Sequence, residues 1–238
     1  MPTPDTVDRW RRQTPERFRF SFKFPREITH DAQLRGALRA SSAFLARLSP
    51  LGPRLGPFMI QLPAVWPPSE LDALARLLAG LPRDFRYAVE VRHPGFFSRS
   101  GARDLQDVLV AAGSERIVMD TRPMRAGDPE DPDVLGAAHA KPDVPVRALA
   151  CGRAPIVRLV AHPVASVNAP WFLFWAARMA RWVRQGRRPT LFMHCPNNDH
   201  SPGLARDFDR VLRARLPRSV AALAGPRSSS TWCARTRR

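Results

Sequence analysis

Lysine is nearly missing from this sequence. Of its 38 basic residues only Lys23 and Lys141 are lysine, and the other 36 are arginine. With 25 prolines alongside, the bias points to GC-rich coding as much as to selection for a polyanionic partner. Cysteine is scarce too: Cys151, Cys195 and Cys233 stand far apart, with no CxxC pair. An odd, sparse set fits a reducing cytoplasm better than a disulfide framework. No apolar run reaches the roughly 18 residues that a membrane helix needs. The opening MPTPDTVDRW lacks the charged-then-apolar pattern of an export signal. The expectation is therefore a cytoplasmic protein with no membrane partner. No Gly-rich phosphate loop follows the first apolar segment, and no GxSxG, HExxH, Walker or kinase motif occurs. No cofactor and no metal are expected.

What is present is enough for a sizeable core: 238 residues, 44% of them hydrophobic. The net charge of +17 is unevenly spread. Residues 1–143 carry 21 basic and 18 acidic groups, whereas residues 144–238 carry 17 and 3. From Arg213 onward there are seven arginines and no acid. We read residues 1–217 as one domain and 218–238 as a basic, disordered tail, whose attraction to nucleic acid would be weak, non-specific and salt-sensitive.

Six short apolar segments recur at strand–helix spacing: Phe18 to Phe24, Phe58 to Leu62, Tyr87 to His93, Arg116 to Asp120, Ile156 to His162 and Thr190 to Cys195. Between them, Leu34 to Leu48, Leu71 to Leu81, Leu105 to Ala112, Trp171 to Val183 and Leu204 to Leu216 carry apolar residues at helical spacing. Alternating strand and helix predicts an α/β fold with a parallel sheet, and a TIM-like (β/α) barrel leads. The proline-rich stretch 121–154 breaks the rhythm, either as a lid over the barrel mouth or as a disordered surface loop.

Strand alternation then separates faces. Phe18, Phe20, Phe22 and Phe24 share one face, opposite Arg19, Ser21 and Lys23, and Glu90 and Arg92 oppose Val89 and Val91. Gln61, Asp120, Arg158, His162 and His194 also fall late in their segments, so parallel strands gather polar groups on one rim. A ligand site and a self-satisfied salt-bridge layer both fit that pattern. For a site, Glu90, His93 and Asp120 are the candidates for proton transfer. Lys23, Arg92 and Arg158 would hold an anion, with His30, Gln61, His162, His194, Asn197 and Asn198 binding substrate. The cluster HCPNNDH matches no standard zinc spacing and reads as a turn. Trp171, Trp175 and Trp182 read as core rather than a base-stacking platform.

The runs FRFSFKFPREITH, LGPFMIQLP, AVEVRHPGFF and HCPNNDHSPGLA, in that order, resemble the YecE-like family, also called domain of unknown function 72. The resemblance implies a TIM-like barrel, usually in a cytoplasmic bacterial protein, of unassigned activity. Its motif positions correspond here to Lys23, Pro25, Thr29, His30, Gln61, Pro63, Glu90, Arg92, His93, Asp120, Arg158, Asn197 and Asn198. Many family members have Arg-Leu-His-Gly where this chain reads Arg158, Leu159, Val160, Ala161, His162. Family members also open with a strand, a helix and a second strand ahead of PTPDTVDRW. The expected barrel is thus incomplete, with about six of eight strands. The expected function is an anion-accepting pocket, serving acid–base or hydrolytic chemistry on a small anionic or carbohydrate-like substrate. The alternatives are a nucleic-acid-binding or accessory protein using its basic second half, and a non-functional fragment. The oligomeric state is left open.

Overall fold

The structure, a computed structural model, describes residues 1–128 and 130–217; the basic tail expected over 218–238 lies outside them. All six apolar segments form strands: β1 (Phe20–Lys23), β2 (Leu55–Gln61), β3 (Tyr87–Glu90), β4 (Glu115–Asp120), β5 (Ile156–Val160) and β6 (Thr190–His194). Each pairs in parallel with the next, in the order β1-β2-β3-β4-β5-β6. Strands running the same way need a long return path, and helices supply it. These are α2 (Leu38–Leu48), α3 (Leu71–Gly80), α4 (Arg99–Ala111), α7 (Ala169–Arg184) and α8 (Ser201–Arg213), with α1 (Pro4–Gln13) ahead of β1. This is the α/β TIM-like arrangement, an arc of parallel strands with β1 and β6 as its edges. No helix among the described residues is long and apolar enough to cross a membrane.

Strand alternation sorts the side chains into layers. Phe58, Ile60 and Val89 face the helices and join Leu74, Leu77, Leu105 and Leu109 in one core. Val157 and Leu159 join Phe172, Trp175, Met179, Trp182 and Phe208 in a second, so Trp175 and Trp182 serve the core while Trp171 is half-buried outside that cluster. On the concave face Met59, Ala88, Ile117, Ile156 and Phe192 close the floor of the arc. One residue pair further along the strands, Gln61 lies beside Glu90 and Val160 beside His194.

Two local departures have clear causes. The helix expected from Leu34 begins only at Leu38, because Gln33, Leu34 and Gly36 take positive φ (48°, 68° and 60°), which breaks helical hydrogen bonding. The helix expected from Leu105 begins at Arg99, where the Ser98 hydroxyl accepts from the Gly101 N–H at 3.1 Å and caps the first turn.

The stretch after β4 holds two short helices, α5 (Arg122–Arg125) and α6 (Pro132–Ala140). Met124 and Val134 pack on Val160, the last residue of β5. Val160 shares the parity of Ile156 on the concave side, so the insertion sits over the carboxy ends of the strands. Gly127 fits flat against the His162 ring: a Cβ there would meet Nε2 at 2.1 Å.

Phe58 is fully buried and meets the rings of Phe22, Phe24, Phe44, Phe85 and Tyr87. Phe58→Ala is expected to lower unfolding free energy by about 3–5 kcal/mol, read from urea denaturation. A loss below about 1 kcal/mol would show that this cluster does not anchor the sheet.

Candidate functional site

The carboxylate of Glu90 lies at the end of β3 with only 2% of its surface exposed. Arg158, from the concave face of β5, donates through Nη1 to Glu90 Oε1 at 3.1 Å and Oε2 at 3.0 Å. Arg92 donates through Nε to Glu90 Oε1 at 2.9 Å. Two guanidinium groups thus compensate one interior charge, as burial requires. Their side chains keep 14% and 22% exposure, so both also reach the opening.

A neutral chain extends from this cluster. Arg158 Nη1 also donates to Gln61 Oε1 at 3.4 Å. That fixes the amide orientation, leaving Gln61 Nε2 to donate to His30 Nε2 at 3.4 Å. The Thr29 hydroxyl donates to the Pro25 carbonyl at 3.2 Å, so it accepts from His30 Nδ1 at 2.8 Å. His30 is therefore the Nδ1–H tautomer, uncharged. Burial, then Lys23, Arg26 and Arg92, hold its pKa below the usual imidazole value, with Asp31 opposing. His194, at the end of β6, is pushed down to about 4 by burial and by Arg158 and Lys141, with Glu90 opposing.

Both lysines belong here. Lys23, the last residue of β1, keeps a solvent-exposed side chain; its pKa is lowered by partial desolvation, then by Arg158 and Arg92, against Glu90. Lys141, just past α6, is lowered by desolvation and by the same two arginines. Arg125 Nη2 donates to the carbonyls of Ala138 and Lys141, at 3.1 and 2.7 Å, and so ties down the chain at Lys141. Lys141 is the residue that motif reading missed. Its one signal was rarity.

Other candidates stand apart from this cluster. Asp120 ends β4 but lies on the helix side: Oδ1 accepts from the Arg122 N–H and Nε at 3.0 Å each. Its Oδ2 accepts from Arg122 Nη2 and from Trp175 Nε1, both at 2.8 Å. The Arg122 guanidinium in turn lies 5.3 Å from the Phe174 ring centre. His93 Nδ1 accepts from the Gly95 N–H at 3.0 Å and caps the turn Pro94–Phe97. His162 is buried; Nδ1 accepts from the Val164 N–H at 3.0 Å, and Nε2 has no hydrogen-bond partner among the described residues. Asn197 caps Asn198–His200 through the Asp199 N–H, at 3.1 Å, and Asn198 is exposed. Cys195 is fully buried, its thiol pushed up to about 11 by desolvation, which is unsuited to nucleophilic attack at neutral pH. A groove of about 360 Å³ at the opposite end, lined by Leu55, Gly56, Phe85 and Arg86 among others, holds no comparable cluster of buried charge.

Two outcomes follow from this geometry. Asp120→Ala leaves the Trp175 N–H unpaired in the core, so it should cost about 2–3 kcal/mol of stability. Phosphate affinity, measured by calorimetry, should not change; a large loss would place Asp120 in the site. Between pH 6.5 and 4 the unfolded His194 binds a proton that the folded residue refuses. Its contribution therefore destabilises the fold as pH falls through that window. His194→Gln should flatten the pH dependence of the urea midpoint there, and an unchanged slope would contradict the depressed pKa.

Comparison with known proteins gives the same fold and places the chain in a family. A family model described as protein of unknown function DUF72 matches residues 1–227. The UPF0759 protein YecE of Escherichia coli K12 is 39% identical over 233 residues, a match covering 98% of this chain and 85% of that protein. YecE of Escherichia coli O157:H7 matches with the same identity and coverage. Among solved structures, a DUF72 family protein of Thermotoga maritima superposes with a TM-score of 0.65 at 17% identity, covering 89% of this chain and 80% of that one. Another from Enterococcus faecalis gives 0.64 at 16%, covering 90% and 84%. With the family model spanning nearly its full length and two curated relatives at 39% identity, the chain belongs to the DUF72 family of YecE-like proteins.

Proposed function

We propose that this protein binds a small anionic substrate, a phosphate, a carboxylate or an acidic sugar derivative, at the carboxy ends of its strands, and performs acid–base chemistry on it. The observation that carries this reading is an imbalance of charge. Arg92 and Arg158 both donate to one carboxylate, whose two oxygens are thereby engaged, and two further cations, Lys23 and Lys141, feel the field of both guanidinium groups. Partly desolvated cations in excess are costly, and an anion relieves them. Burial of Glu90 beneath both guanidiniums suits it to orienting Arg92 and Arg158 rather than to shuttling protons.

The remaining roles follow from position. Arg92 and Arg158 present planar donor pairs that match phosphate or carboxylate oxygens. Gln61 fixes the reach of Arg158. His30 and His194, both held neutral, border the pocket as hydrogen-bonding groups, while Lys23, whose ammonium form is disfavoured, is the candidate proton acceptor. Asn197 and Asn198 supply hydrogen bonds from the loop after β6. His93, Asp120 and His162 shape the framework around the pocket, since each is committed to a backbone or side-chain partner. A cytoplasmic setting agrees with the sparse cysteines.

Calorimetric titration with inorganic phosphate tests the reading. Binding should weaken about 10- to 100-fold in Arg158→Gln, the loss expected for charge-assisted hydrogen bonds. It should also fall as salt rises. Equal affinity in parent and variant, or no binding in either, would overturn the anion pocket.

A further inference from the structure

Acidic residues are missing from one long stretch of this chain, and the fold gathers what is left there onto one face. No aspartate or glutamate occurs between Asp143 and Asp199, while that stretch carries eight arginines. Arg158 belongs to the pocket, and Arg147 donates to the Phe97 carbonyl. The other six are Arg153, Arg178, Arg181, Arg184, Arg187 and Arg188. They lie on the second half of α7 and on the segments that lead into β5 and β6. These lead-in segments are at the amino ends of the strands, away from the rim that holds Glu90.

Backbone contacts hold the group together. The Arg188 N–H donates to the Arg153 carbonyl at 2.8 Å, and Arg187 Nη1 donates to the Gly152 carbonyl at 2.8 Å. At the end of α7, Gly186 takes a φ of 75° and the Arg187 N–H returns to the Trp182 carbonyl at 2.9 Å. That turn folds Arg188 back beside the helix end. On the helix itself, residues three apart are neighbours, so Arg178, Arg181 and Arg184 form a row about 9 Å long. Arg153, Arg181, Arg184 and Arg188 are exposed, and none has a carboxylate partner among the described residues. Arginine-rich composition does not explain this, because other helices of the same chain pair their arginines. Asp8 meets Arg11 and Arg12 on α1, and Asp207 and Asp209 meet Arg210 and Arg213 on α8. The attraction of cations to a helix carboxy terminus accounts for Arg181 and Arg184. It does not account for Arg153 or Arg188.

We propose that this face, built on Arg153, Arg181, Arg184 and Arg188, binds the phosphate backbone of double-stranded DNA without reading its sequence. Guanidinium forks match phosphate oxygens, and a row fixed on a helix suits a regular series of them. Unpaired exposed cations repel one another, and a polyanion relieves that repulsion as it releases its own counterions. Single strands are held by bases stacked on aromatic side chains, and this face presents none. Trp175 and Trp182 are buried, and Phe174, at the far end of α7, has the Arg122 guanidinium 5.3 Å from its ring centre. RNA is distinguished by contacts to its 2′-hydroxyls. The face offers guanidinium groups and the exposed Gln185 amide, little with which to make them. Contacts to phosphate position a duplex and carry no sequence information.

Fluorescence anisotropy of a fluorescein-labelled DNA duplex of about 20 base pairs, titrated with the full chain, tests this. The parent should bind with a Kd on the order of micromolar at about 50 mM salt. Combining Arg181→Gln, Arg184→Gln and Arg188→Gln should weaken binding at least tenfold. It should also lower the slope of log Kd against log salt by about 2 to 3, as for three lost phosphate contacts. Arg39→Gln, Arg76→Gln and Arg103→Gln together remove the same charge from exposed positions on α2, α3 and α4. That control should stay within about twofold of the parent. Equal losses in the two triple variants would reduce the effect to net charge and overturn the proposal. So would no binding by the parent, unchanged affinity in the first triple, or tighter binding of a single strand or an RNA duplex of the same length. Replacing Arg218, Arg227, Arg235, Arg237 and Arg238 by Gln tests the basic end of the chain: a loss confined to that variant rejects the α7 face. Arg158→Gln should bind the duplex as the parent does, and a tenfold loss there would place DNA in the pocket instead. Circular dichroism checks that the first triple is folded. If it is not, Arg184→Gln and Arg188→Gln taken singly carry the test, each lowering the salt slope by about 0.9.

Discussion

The pairing of Glu90 with Arg158 is the interaction on which the rest of the rim depends. The two residues sit on β3 and β5, with β4 between them. Strands two places apart in a flat sheet are separated by roughly 9.5 Å, and side chains on them stand parallel. A direct 3.0 Å contact therefore needs the sheet to curve so that its inward side chains converge. Met119 is the β4 residue on this face, paired in register with Arg158, and it adds no charge to compete. Curvature and ion pair stabilise each other: the arc brings the charges together, and a buried carboxylate without its guanidinium would be strongly unfavourable.

A second carboxylate shows how much depends on which way a residue points. Asp120 and Glu90 both end strands, and both are almost fully buried beside an arginine. Glu90 faces the concave side and meets Arg92 and Arg158. Asp120 faces the helices and meets Trp175 of α7. The first pair of arginines retains access to an opening. The second carboxylate is spent on holding α7 and Arg122 to the sheet. Position along the strand made the two look alike.

That resemblance marks the limit of what the residues disclose alone. The six strands were legible because apolar runs at strand–helix spacing leave few other arrangements. Lys23, Gln61, Glu90, Arg92, Arg158 and His194 were legible as a rim because parallel strands gather their carboxy ends. The face of β4 was not, since a parallel sheet is buried on both sides and RIVMD reads apolar in either direction. The insertion was opaque for a different reason. Its contacts on Val160 are long-range, and α6 is too short to show a convincing period. One local sign was available: Asp131 before Pro132 is a helix start, and its carboxylate accepts from the Asp133 N–H at 2.9 Å. Reading it would have located α6, and with it the approach of Lys141.

The site divides its charge between two kinds of group. Arg92 and Arg158 are fixed cations, oriented by Glu90 and Gln61. Around them stand Lys23, Lys141, His30 and His194, and in each the charged form is disfavoured by burial together with at least one of those arginines. A field of this kind does two things at once. It attracts an anion, and it drives neighbouring bases toward the neutral form that can accept a proton or attack an electrophile. Binding of the anion would in turn offset the arginines' field and raise the affinity of those bases for protons. Substrate arrival would thereby favour proton uptake at the same place, a coupling that permanent cations alone could not provide. An arginine-rich chain that keeps two amines and two imidazoles at one rim has the parts for that coupling.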